Sequence, residues 1–153
     1  MPRNWLLKSE PGVYSIEHLR RDGRTGWEGV RNYQARNFIR DTMQPGDRVL
    51  FYHSNADPLG VAGLARVAGA AYPDATALDP ESAYYDPRAS EAEPRWYRMD
   101  VEFVEAFPTV VTLDTLRATP GLEKMPLLNK SRLSVQPVTD EEYGIIVGLG
   151  RGG

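Results

Sequence analysis

Polar and apolar residues alternate most regularly over 97–103, where Tyr97, Met99, Val101 and Phe103 interleave with Arg98, Asp100 and Glu102. That period of two predicts a half-buried strand. Largely apolar runs predict further strands over 4–8, 48–53 and 61–67, and the alternating Leu133-Ser134-Val135-Gln136 another over 133–136, the first closed by Glu10-Pro11-Gly12 and the last by Pro137. A helical period takes over at Ala35, Phe38, Ile39 and Met43, which predicts a helix over 32–42. Gln44-Pro45-Gly46-Asp47 then predicts a turn, because Pro presets φ and Gly tolerates a positive one. Ser15 is placed to cap a short helix through Leu19 with Gly23 after its end, and Thr112 to cap another through Ala118. Thr139 and Glu142 have the spacing of a capping box for a last helix ended at Gly148. Residues 72–95, rich in Pro, Asp, Ala and Tyr, show no period and predict a long irregular segment. Five or six strands mixed with short helices, without regular alternation, predict an α+β fold with a curved sheet or small barrel.

Length adds that 153 residues suit a single domain with a proper core. The chain has no cysteine, which excludes disulfides, thiol catalysis and cysteine-based metal centres, and favours a reducing cytoplasm. Two histidines and no cysteine argue against a transition-metal site, and no metal or cofactor is expected. No signal peptide and no apolar run long enough to span a bilayer are evident, so a soluble chain away from membranes is expected. The net charge of −3 argues against a general nucleic-acid coat. Its distribution is uneven: six arginines stand between Arg20 and Arg40, and nine acids between Asp74 and Glu105. Either the arginines face phosphates, or they pair with the acidic stretch across the fold.

The chemistry concentrates in Trp27-Glu28-Gly29-Val30-Arg31-Asn32-Tyr33-Gln34-Ala35-Arg36-Asn37. A large aromatic ahead of a glycine turn, followed by Arg, Asn and Gln, is equipment for gripping a planar, hydrogen-bonding ring. The alternative is that Trp27 plugs the core and the polar residues solvate a helix face. His53 ends an apolar strand beside Tyr52 and Ser54, as a site residue or as a satisfied structural one. Lys8, Ser9 and Glu10 close the first strand, where a Lys/Glu pair is either a proton-transfer site or a solvated turn. Phosphate-loop, nucleophile-elbow and zinc-helix motifs are all missing.

Read in order, Trp5-Leu6-Leu7-Lys8-Ser9-Glu10-Pro11, the stretch from Trp27 to Asn37, Tyr52-His53-Ser54, Ala71-Tyr72-Pro73-Asp74, Pro94-Arg95-Trp96-Tyr97 and Arg132-Leu133-Ser134-Val135-Gln136-Pro137-Val138 resemble an EVE domain over nearly the whole chain. The resemblance, which extends to the thymocyte nuclear protein family, implies a PUA-like curved β-barrel flanked by short helices. Residues 1–153 would form one such domain. It places the chain near YTH domains, which read methylated adenine in RNA, and near ASCH domains, which include hydrolases of modified nucleosides. It implies a binding module for a modified base, cytosine or adenine, in DNA or RNA; a monomer is expected.

On that reading the strand ends and the Gly29 turn surround a pocket for one flipped base, with Trp27 stacking on it. Ser9, Gly29, Val30, Asn32, Tyr52, His53, Ser54, Ser134 and Gln136 would line the base edge. Lys8, Arg31 and Arg36 would meet flanking phosphates. The competing reading is a hydrolase or amidohydrolase on a modified nucleoside that uses Lys8, Glu10 and His53. A third is a protein-interaction module built on the 72–95 segment.

Overall fold

In the computed structural model, which describes residues 2–27, 30–129 and 133–152, the strand nearest the N-terminus lies inside the sheet. This is β1 (Asn4–Ser9), whose WLL run is buried on both faces. It pairs in parallel with β3 (Arg48–His53) and antiparallel with β7 (Val135–Val138). The sheet continues antiparallel from β3 to β4 (Gly60–Val67), from β4 to β6 (Tyr97–Thr112), and from β6 to β2 (Arg24–Trp27). The short β5 (Tyr72–Pro73) pairs with the first residues of β6. The order is therefore β2-β6-β4-β3-β1-β7, a mixed sheet of seven strands among the described residues. Its two ends do not pair, so it stays open, as a PUA-like α+β fold allows.

Alternation along the strands divides the interior into two cores. Trp5, Leu7, Val49 and Phe51 face one side, with Ile16 and Leu19 of α1 (Ile16–Asp22) and Ala35 of α2 (Tyr33–Asn37) packed against them. Leu6, Leu50 and Tyr52 face the other. There they meet Leu116 of α3 (Leu113–Ala118), Leu127 of α4 (Pro126–Asn129) and Ile146 of α5 (Asp140–Gly150).

The capping expectations are met in detail. Thr139 and Glu142 form a reciprocal capping box, and α5 runs two residues past Gly148. Ser15 does the same with His18, whose Nδ1 accepts from the Ser15 N–H at 2.8 Å. The expected helix over 32–42 is α2 followed by a π-helical turn, Phe38–Thr42.

Three expectations need correction. Five or six strands become seven because β2, expected as loop, pairs with Met99 to Glu102 of β6, and β5, in the stretch expected to be irregular, pairs with Tyr97 and Arg98. Four residues cannot show a period, and their partner lies far along the chain. The strand expected over 97–103 runs on to Thr112, bending at irregularities in its pairing with β4. Pro137 does not end the last strand but sits within β7, which is an edge, where a missing N–H breaks no ladder bond.

Candidate functional site

Because β1 and β3 run parallel and in register, they end side by side at Ser9 and His53. The chain beyond each end is tied to its neighbour: the Ser54 N–H donates to the Ser9 carbonyl at 2.9 Å. On the other flank the Lys8 N–H donates to the Ser134 carbonyl at 3.0 Å. A cavity of about 800 Å³ opens above these ends. It is walled by the strand ends, by Thr25, Gly26 and Trp27 of β2, by Val30 and Arg31, by the 10–14 turn, and by Tyr84.

Of the residues expected at a site, Lys8, Ser9, Glu10, Trp27, Val30, Arg31, Ser54 and Ser134 line this cavity. Gly29 lies outside the described residues. Trp27 is a buried member of the first core, edge-on to Phe51 at 5.5 Å, and is also among the residues that line the cavity. Burial holds the Lys8 ammonium below its usual pKa, so an anion arriving there would restore favour to its charged form. The Glu10 carboxylate accepts from Asn55 Nδ2 at 2.9 Å across the mouth.

Tyr52, His53, Asn32, Gln136 and Arg36 are not in the wall, each for a local reason. Tyr52 points to the opposite face of β3 from Phe51 and is buried in the second core. His53 is buried, and its Nε2 accepts the Ile16 N–H at 3.1 Å, anchoring the start of α1. Desolvation lowers its pKa. Asn32 caps α2, its Oδ1 accepting from the Ala35 N–H at 3.0 Å. Gln136 is fully buried and donates to the Leu133 carbonyl at 2.7 Å, so it shapes the turn before β7. Arg36 donates to the Arg95 carbonyl and lies over Tyr33.

Arg31 lines the cavity, but not as a free phosphate contact. Its five N–H groups go to the Tyr84 carbonyl twice, the Val30 carbonyl, Asp74 Oδ2 and Thr76 Oγ1. Its guanidinium lies between Trp96, at 5.3 Å, and Tyr84, at 5.6 Å. Tyr33 stacks on Trp96 at 4.8 Å, and Arg36 covers Tyr33. The Trp96 indole N–H donates to Asp86 Oδ2 at 2.7 Å, which holds that carboxyl down to about 2. This five-layer pile pins the irregular 72–95 segment to the start of α2 and sets Tyr84 at the cavity. The acidic stretch thus pairs with two of the arginines across the fold, Arg31 through Asp74 and Arg24 through Asp100, while Arg20, Arg21 and Arg40 pair with acids near them in sequence. Tyr84, Thr25, Val13 and Asn55 are wall residues that sequence reasoning did not single out. The tyrosines in an aperiodic stretch were the one signal for Tyr84.

The EVE domain family model matches residues 3–149. The chain belongs to the EVE domain family. It is 41% identical to human thymocyte nuclear protein 1 over 95% of its own length and 73% of that protein's. A Leishmania major protein of solved structure superposes with a TM-score of 0.96 at 48% identity, covering 99% of this chain and 96% of that one. The structure of human THYN1 in complex with 5-methylcytosine-containing DNA superposes with a TM-score of 0.89 at 41% identity, covering 97% of each chain. An ASCH protein from Zymomonas mobilis shares the fold alone, at a TM-score of 0.52 and 12% identity.

Proposed function

We propose that this EVE domain binds 5-methylcytosine in DNA, and that the base enters the cavity at the ends of β1 and β3. The observation that carries this is the DNA complex of human THYN1, a relative 41% identical across nearly the whole chain. The cavity's volume falls within the usual range for a small-molecule site.

In this reading Trp27 supplies the stacking surface, worth about 1–3 kcal/mol per base. That matches the few kcal/mol needed to take a base out of its stack. Hydroxyls of Ser54 and Ser134 and the backbone at Val30 offer donors and acceptors to the base edge, the Ser9 hydroxyl, which donates to the Tyr14 carbonyl, offers its lone pairs, and Lys8 meets the phosphate. Arg31 and Arg36 act one step back, by holding Tyr84 and its segment in place. Burying the methyl adds roughly 0.8 kcal/mol, or about fourfold in affinity. Strong discrimination then needs a close fit around the C5 position, so that cytosine leaves a void.

The test is fluorescence anisotropy with labelled oligonucleotides that differ only in that methyl. Wild type should prefer the methylated strand. Trp27→Leu should lose about fivefold or more of its affinity, the lower end of the stacking range, while thermal melting confirms a folded protein. Equal binding to both oligonucleotides would sink the reading. A second reading, hydrolysis of a modified nucleoside, draws on Lys8 and Glu10 at the wall and on the lowered pKa of Lys8. Mass spectrometry of 5-methyl-2′-deoxycytidine incubated with the protein distinguishes them, since a reader returns it unchanged.

A further inference from the structure

The most exposed large apolar side chain among the described residues is Val13, with 71% of its surface in solvent. A single exposed valine needs no explanation by itself. Val13, however, stands on the rim of the cavity, at the tip of the turn that follows β1. The turn is tightly held. The Val13 and Tyr14 N–H groups both donate to the Glu10 carbonyl, at 2.9 and 2.8 Å. The Ser9 hydroxyl donates to the Tyr14 carbonyl, and the Glu10 carboxylate is fastened to Asn55. The tip itself is Pro11-Gly12-Val13, uncharged, with open space around Gly12. An apolar knuckle, held by these hydrogen bonds, thus projects beside a cavity of about 800 Å³ that has room for one flipped base.

We propose that Val13 is a wedge: it enters the base stack of a DNA duplex and fills the gap left when the modified cytosine swings into the cavity. The inference rests on the base-reading function above and deepens it by naming the ligand as double-stranded DNA. Apolar side chains that enter a base step replace part of the lost stacking, and they do so best when they need no ordering on insertion. A single strand leaves no such gap, so Val13 contributes to duplex binding alone.

The experiment compares wild type, Val13→Ser and Val13→Leu on a duplex with one 5-methylcytosine and on the same methylated strand unpaired. Loss of one buried valine predicts a drop of about tenfold on the duplex for Val13→Ser. Affinity for the single strand should stay within about twofold, and Val13→Leu, which keeps the apolar bulk, should bind the duplex like wild type. A 2-aminopurine next to the methylated base should brighten on binding of wild type and less so with Val13→Ser. Equal duplex affinity for wild type and Val13→Ser overturns the wedge. An equal loss on both DNA forms also overturns it, making Val13 only a wall of the cavity. If wild type binds neither form, the base-reading function itself falls, and the wedge with it.

Discussion

Protonating His53 requires breaking a hydrogen bond, because its Nε2 already accepts the Ile16 N–H at 3.1 Å inside the protein. Burial lowers its pKa from the ordinary 6.5. The unfolded chain therefore takes up the proton first as pH falls. The stabilisation from neutral His53 is complete above about 6.5 and drains away as pH drops toward the folded-state pKa. Denaturation from about pH 8 to about pH 5 should show this loss in wild type. His53→Gln, whose amide oxygen can accept the same N–H without titrating, should lose that part of the slope. Parallel curves for the two proteins would mean that the ring does not titrate on unfolding. The residue that looked like a site histidine is an anchor for α1, whereas Lys8, next to last in β1, is a titratable group at the wall.

At the scale of elements, α1 approaches the sheet at a glycine. A Cβ on Gly63 of β4 would stand 2.4 Å from the Glu105 carbonyl oxygen and 2.8 Å from Ile16 Cγ1. Gly63→Ala should therefore destabilise the fold by about 1–3 kcal/mol through overpacking. Gly144 in α5 has nothing within 4 Å. Gly144→Ala should do the opposite, stabilising by about 0.5–1 kcal/mol through helix propensity. Urea titrations of both variants check the pair, and a harmless Gly63→Ala would contradict the close packing of α1 on β4. The same scale explains what could be read from the chain in advance. β1, β3 and β4 announce themselves by apolar runs, and α1, α3 and α5 by capping residues in the right places. β2 and β5 carry no local signature, since four and two residues become strands only because β6 lies beside them.

Over the whole molecule, charge is largely spent internally. Arg24 pairs with Asp100, Arg31 with Asp74, Arg66 with Glu102, and Arg151 with Glu105. With a net charge of −3 as well, the protein has little to offer an extended phosphate backbone. The logarithm of its DNA-binding constant should fall against the logarithm of salt with a slope no steeper than about −3, as for two or three phosphate contacts. A slope beyond about −5 in anisotropy titrations would mean a broad electrostatic footprint that these pairings do not provide.

Taken alone, the sequence determined the α+β class, the turns and caps, the family, and most of the stretches that line the cavity. Those depend on local periodicity and on residues whose roles follow from near neighbours. Tertiary structure decided which side chains remain available. Asn32, His53, Gln136 and Arg31 have the hydrogen-bonding groups a site needs, and each commits at least one of them to the fold. Tyr84 reaches the cavity only because Arg31 and Trp96 stack behind it. A donor's chemistry is written in its residue type, but whether it is free depends on partners distant in the chain, and folding alone brings those together.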